Sequence, residues 1–225
     1  MTIRIGCTGT SLVHAGFDLG GWMYGALPLL GFVSRLQVYV PSRPIEVVNR
    51  AIGGAASDRI LRNVNKLIEC DPSILLIQTD TNDCHIAKGI SEFDAEANIK
   101  AIGDMVRATL PGCKILLMTL APVLSPGTAK LIDHPRYLER HRCIGWTYAD
   151  YFFDGEPVWL RLVDAQYDRR AAWIDPDGIH PTQQGMLKFI VPFMARNLGP
   201  RIARDLNSIR SPITPIPTDI WSPLP

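Results

Sequence analysis

The sequence has no cysteine pair at metal-binding or redox spacing. Its five cysteines (Cys7, Cys70, Cys84, Cys113 and Cys143) are scattered and odd in number. That argues against a zinc ribbon or a disulfide scaffold and favours a reducing compartment. A basic stripe or arginine cluster is also missing, and the formal net charge is only +1, so nucleic acid is not an expected partner. The N-terminus enters a strand without a basic-then-apolar leader, so no secretory signal is expected and a cytoplasmic location is. The apolar run from Trp22 to Val40 is interrupted by Pro28, Arg35 and Gln37, which makes it a poor membrane span. Gly6 and Gly9 lack both the lysine of a phosphate-binding loop and the third glycine of a dinucleotide fingerprint. Cys84-His85 offers only two adjacent ligands, too few for a metal site. Neither a cofactor nor a metal is therefore expected, and no internal repeat or low-complexity domain is visible.

What remains is a chain of 225 residues, 47% hydrophobic and 20% charged, ordinary for one globular domain. Strands are expected at Thr2 to Cys7, Ile45 to Asn49, Ser73 to Gln78 and Lys114 to Leu120, with a fifth at Val158 to Val163. The aliphatic run at Ser73 to Gln78 reads as a parallel strand covered on both faces. Helices are expected between them. Ser57 looks like an N-cap for a face built by Ile60, Leu61, Val64, Leu67 and Ile68. Ser91 with Asp94 resembles a capping box ahead of Ile99, Ile102, Val106 and Leu110. Further helices are expected from Arg136 to about Phe152, from Asp164 to Trp173, and from a Thr182 cap to Leu198 with a kink at Pro192. The alternation of strand and helix predicts an α/β fold, a mainly parallel five-stranded sheet with helices on both faces. Residues 1–208 form the expected domain. The tail, 209–225, has five prolines in its last fourteen residues and is expected to be extended. It leaves open a contact with a second copy of the chain, and so a homo-oligomer.

In open parallel sheets ligands bind beyond the carboxyl ends of the strands. Ser11 follows the first strand, Gly54 the second and Asn82 the third, while Asp177 and His180 lie in a late turn-rich loop. These residue types suit acyl transfer. A serine hydroxyl needs a neighbouring base, which His180 supplies. Asp177 lies three residues earlier and can fix the imidazole tautomer through one tight turn. Asp175 is the less compact rival, and none of His14, His85, His134 or His141 has an aspartate three residues before it. The amides of Ser11 and Gly54 and the side-chain NH2 of Asn82 are candidate donors to an oxyanion. Trp22 and Tyr24 can stack on a sugar or acyl group, although core packing is the plainer reading.

Gly9-Thr10-Ser11-Leu12, Asn49-Arg50-Ala51-Ile52-Gly53-Gly54, Thr81-Asn82-Asp83 and Asp177-Gly178-Ile179-His180-Pro181 together resemble, in order, the four signature blocks of the SGNH (GDSL-type) serine hydrolases. The resemblance implies a flavodoxin-like three-layer α/β/α sandwich and hydrolysis of esters, thioesters or acetylated sugars. It would make Ser11 the nucleophile, Gly54 and Asn82 oxyanion donors, and Asp177 with His180 the rest of the triad. Two positions depart from the family pattern. Thr10 stands where the family usually has aspartate, and Asp80 stands where it usually keeps a bare glycine, which is expected to narrow the cleft or bias substrate choice.

The leading expectation is a serine esterase for small acyl or acetyl esters, with a small-molecule ester as its partner. Thr10 and Asp80 motivate a rival, a non-catalytic binding module of the same fold. A third option is transfer of the acyl group to an alcohol, or cleavage of thioesters.

Overall fold

The computed structural model describes residues 2–9, 35–119, 123–165 and 173–208. Five strands, β1 (Ile3–Gly9), β2 (Ile45–Asn49), β3 (Ile74–Gln78), β4 (Lys114–Thr119) and β5 (Tyr151–Asp154), form one sheet in the order β2-β1-β3-β4-β5. All four pairings are parallel; Ile5 stands beside Val47 on one side and Ile74 on the other. This is the flavodoxin-like strand order, and its direction reverses between β1 and β3.

Side chains alternate across the sheet with period two, so each strand feeds two cores. Ile3, Ile5, Cys7, Ile74, Leu76, Leu116, Met118, Tyr151 and Phe153 face one layer. That layer is made by α6 (Glu156–Ala165), a π-helical turn (Met186–Ile190) and α8 (Val191–Ser208), through Trp159, Met186, Ile190, Met194 and Ile202. Leu75, Ile77, Ile115 and Leu117 face the other. It is covered by α1 (Ser57–Leu61), α2 (Val64–Ile68), α4 (Glu92–Thr109) and α5 (His134–Thr147), through Ile60, Val64, Leu67, Ile99, Ile102, Val106 and Ile144. The result is a three-layer α/β/α sandwich. No described helix is long and apolar enough to cross a membrane.

Several local expectations hold. The Ser91 hydroxyl accepts from the Asp94 amide at 3.1 Å and so caps α4. Thr182 caps the short α7 (Gln183–Gly185), its hydroxyl accepting from the Gly185 amide at 3.1 Å. Others need correction. β1 runs through Gly9 instead of stopping at Cys7. The stretch after Ser57 is two helices, because the Asn63 carboxamide bonds back to the Arg59 carbonyl at 2.8 Å and ends the first. Ser57 is the first residue of α1 and Ala56 its cap. Toward the C-terminus, α8 starts beside Pro192, directly after the π-helical turn, and continues through Pro200 to Ser208. The expected helix at Asp164 to Trp173 and the tail fall largely or wholly outside the described residues.

The fifth strand is misplaced by the sequence reading. Val158 to Val163 lie in α6, and β5 is Tyr151–Asp154, whose first half overlaps the end of the helix expected from Arg136 to about Phe152. Asp150 explains the helix-to-strand change. Its carboxylate accepts from the Ile115 amide at 2.9 Å, from Arg107 at 2.9 Å and from Lys114 at 3.3 Å. It thereby pins the chain to the start of β4 before the aromatic, β-prone Tyr-Phe-Phe begins. Partial burial opposes ionisation of Asp150, but these three donors outweigh it and hold its pKa below the usual value. Glu156-Pro157 then opens α6, where proline suits the first turn.

Gly145, inside α5, tests this packing. Alanine normally stabilises a helix interior relative to glycine by about 1 kcal/mol. Here a Cβ at Gly145 would overlap the Phe152 ring of β5. Overpacking of that kind costs about 1–3 kcal/mol, so Gly145→Ala should lower stability. Equilibrium urea unfolding checks the sign, and a stabilised variant would contradict the packing of α5 on β5.

Candidate active site

The carboxyl ends of β2 and β3, the strands on either side of β1, lead into two of the predicted blocks. After β2, the Arg50 amide donates to the Cys7 carbonyl at 2.7 Å and the Ile52 amide to the Gly9 carbonyl at 3.0 Å. The chain therefore stays beside β1 until Gly53-Gly54 turns it into α1. Gly54 is exposed with φ 67°, the left-handed region that glycine enters without steric cost.

After β3, the one-turn helix α3 (Asp80–Asp83) carries Asn82. The Asn82 side-chain NH2 donates one hydrogen to the Ala55 carbonyl at 3.0 Å. A carboxamide has a second N–H, which this bond leaves unspent. Beside it, the Asp83 carboxylate accepts from the Ser57 amide at 2.6 Å, and the Asn98 side chain donates to the Ser57 hydroxyl at 3.1 Å. The Gly54 turn and the Asn82 turn, far apart in sequence, are thus bonded into one unit.

Asp80 is fully buried, and the Gln78 carboxamide donates to its Oδ1. Its Oδ2 has no hydrogen-bond partner among the described residues. This side chain, expected to narrow the cleft or bias substrate choice, is buried.

The late loop is held by the loop that follows β4. The Leu124 amide donates to the Gly178 carbonyl at 2.7 Å. Within the loop, the Asp175 amide bonds the His180 carbonyl at 2.8 Å and the Gly178 amide bonds the Asp175 carbonyl at 2.9 Å. Asp177 Oδ1 accepts from the amides of Ile179 and His180 at 2.9 and 3.0 Å, and Oδ2 meets His180 Nδ1 at 2.5 Å. The aspartate three residues before the histidine is in hydrogen-bond contact with its ring. Partial burial alone would raise the Asp177 pKa, but those amides and the ring outweigh it and lower it. Nδ1 thus faces a carboxylate.

Ser11, Thr10, Trp22 and Tyr24 lie outside the described residues. The five cysteines are free thiols. Cys84 is buried, and burial together with Asp80 and Asp83 pushes its thiol pKa up, which removes it as a nucleophile at neutral pH.

Sequence reasoning missed the layer beneath Asn82. His141, fully buried in α5, places Nε2 at 2.9 Å from the Thr79 hydroxyl and 3.7 Å from Asp83 Oδ2. Its Nδ1 meets the Tyr137 carbonyl at 2.8 Å. One signal was available. Tyr137, Leu138, His141, Ile144 and Gly145 recur at helical spacing and are all buried, so His141 sits in the apolar stripe of its helix.

Two outcomes test the dyad loop. Gly178 has φ 71°, and a Cβ there would overlap the Leu124 carbonyl oxygen, so Gly178→Ala should cost at least about 1–2 kcal/mol in urea unfolding. Because the folded-state pKa of Asp177 is depressed, its contribution to stability is present above the ordinary carboxylate range and is lost as pH falls through the lowered value. The stability gap between wild type and Asp177→Asn should therefore narrow from neutral pH to about pH 3; a constant gap would contradict it.

A family model described as GDSL-like lipase/acylhydrolase matches residues 7–188. No curated protein sequence matches the chain. Solved structures share the fold at low identity. One, described as a GDSL-like lipase from Parabacteroides merdae, is 17% identical with a TM-score of 0.70, over 86% of this chain and 94% of that one. The lipase/acylhydrolase from Enterococcus faecalis is 16% identical with a TM-score of 0.65, over 89% and 97%. A catalytic mutant of an acetylxylan esterase from Geobacillus stearothermophilus is 18% identical with a TM-score of 0.68, over 88% and 96%. Since the family model spans most of the sequence, the chain belongs to the GDSL-like lipase/acylhydrolase family and is a hydrolase acting on esters.

Proposed function

We propose that the chain cleaves carboxylic esters of small acyl groups through an acyl-enzyme on Ser11. His180 takes the Ser11 proton through Nε2 and returns it to the leaving alcohol; water then repeats the cycle on the acyl-enzyme. Asp177 fixes the ring and stabilises the imidazolium. The Ser11 amide, the Gly54 amide and the second N–H of Asn82 receive the oxyanion. The observation that carries this reading is the 2.5 Å contact between Asp177 and His180 Nδ1, which leaves Nε2 as the base. Support also comes from the bond between Asn82 and Ala55, which holds two proposed oxyanion donors on one bonded unit.

Acetyl esters, including acetylated carbohydrates, are the proposed substrates. The acetylxylan esterase among the structural neighbours motivates that choice.

With p-nitrophenyl acetate as substrate, Ser11→Ala should lose at least about 10³-fold in kcat. Asn82→Ala should lose about 10²–10³-fold. A fluorophosphonate probe should leave an adduct on Ser11 detectable by mass spectrometry. Wild-type turnover in Ser11→Ala would overturn the mechanism, and turnover without an adduct on Ser11 would move the nucleophile elsewhere.

A further inference from the structure

Thr79, Asp83 and His141 are a buried polar cluster that the proposed mechanism does not use. The side chains of His141 and Asp83 are 1% and 0% exposed. The Tyr137 carbonyl can only accept, so His141 Nδ1 carries a hydrogen. Nε2 meets the Thr79 hydroxyl at 2.9 Å, with Asp83 Oδ2 3.7 Å away, so the three side chains pack as one buried polar unit.

The cluster lies directly behind the proposed oxyanion donors. Asp83 follows Asn82 in α3 and uses its other oxygen to hold the Ser57 amide, two residues after the Ala55 carbonyl that Asn82 grips. Thr79 immediately precedes α3. A shift of Asp83 would therefore move both ends of that bonded unit.

We propose that His141 is a positioning residue for ester hydrolysis: through Thr79 and Asp83 it fixes the Asn82 turn against the Ala55–Ser57 segment, and so sets the geometry of the oxyanion donors. This rests on the assignment of Asn82 as an oxyanion donor made above. The effect falls on the transition state, because the donors are aimed at charge that develops only there. Loss of His141 Nε2 therefore lowers kcat and leaves KM nearly unchanged.

Two substitutions separate the ring nitrogens. His141→Asn keeps a donor near the Nδ1 position for the Tyr137 carbonyl and removes the Nε2 contact. His141→Gln reaches the Nε2 position and can donate to Thr79 and Asp83. Steady-state kinetics on p-nitrophenyl acetate should show a kcat loss on the order of 10–100-fold in His141→Asn, with KM within about 2-fold. His141→Gln should recover most of the rate. In an Asn82→Ala background, His141→Asn should cause little further loss, since both act through one group. Should His141→Asn fail to fold, Thr79→Val removes the intervening hydroxyl and should give the same kcat-selective loss. A slow Asn82→Ala beside a fully active His141→Asn would overturn the positioning role alone; so would independent, multiplicative losses in the double variant, or equal losses in His141→Asn and His141→Gln. A fully active Asn82→Ala would instead remove the oxyanion assignment, and this inference with it.

Discussion

The hydrogen bond from the Ser57 amide to the Asp83 carboxylate, 2.6 Å long and buried, joins the loop after β2 to the loop after β3. Parallel strands cannot bring their following loops together by short hairpins; each loop departs into its own helix. The contact between the loops must come from side chains reaching across. Asp83 and Asn82 do this side by side, one taking an amide hydrogen and the other giving a hydrogen to a carbonyl. A hydrogen bond to a charged group typically contributes about 1.5–3 kcal/mol. Their position at the strand-order reversal is where an open α/β sheet leaves a crevice for ligand.

The four signature blocks and the first four strands were legible because each depends on local chemistry. Aliphatic runs mark strands buried on both faces, and paired glycines mark a turn with positive φ. An aspartate three residues before a histidine can meet it in one turn whatever the surroundings, and Asp177 does. β5 was not legible, because its identity depends on a partner distant in sequence. The residues of α6 fit a strand or a helix by apolar content alone. The segment that does form the edge strand is selected by Asp150, which bonds the Ile115 amide of β4. Asp83 likewise acts on an element distant in sequence. Its carboxylate accepts from the amide of Ser57, the first residue of α1, 26 residues earlier in the chain.

The departure at Asp80 shows how burial can redirect a polar substitution. A carboxylate placed where a glycine is expected has two outlets, the cleft or the interior. Gln78, the last residue of β3, is fully buried and donates to Asp80 Oδ1 from within. The interior outlet is thus equipped with a donor two residues away, which the sequence shows only as an unremarkable glutamine at a strand end. Its other oxygen remains without a partner among the described residues, which places a polar cost at the first residue of α3.

Two histidine–aspartate pairs in one small domain are set to different tasks by their surroundings. Asp177 is partly exposed and accepts two backbone amides besides the ring; together these outweigh its partial burial and hold its pKa down. A carboxylate that stays ionised is what orienting and stabilising an imidazolium requires. Asp83 has almost no exposure, and burial pushes its pKa up despite the opposing influence of His141, Ser57 and Thr79. A pair in that position is shut off from solvent. The partly exposed pair is therefore suited to proton transfer and the enclosed one to holding shape, a division set by desolvation acting on the same two residue types.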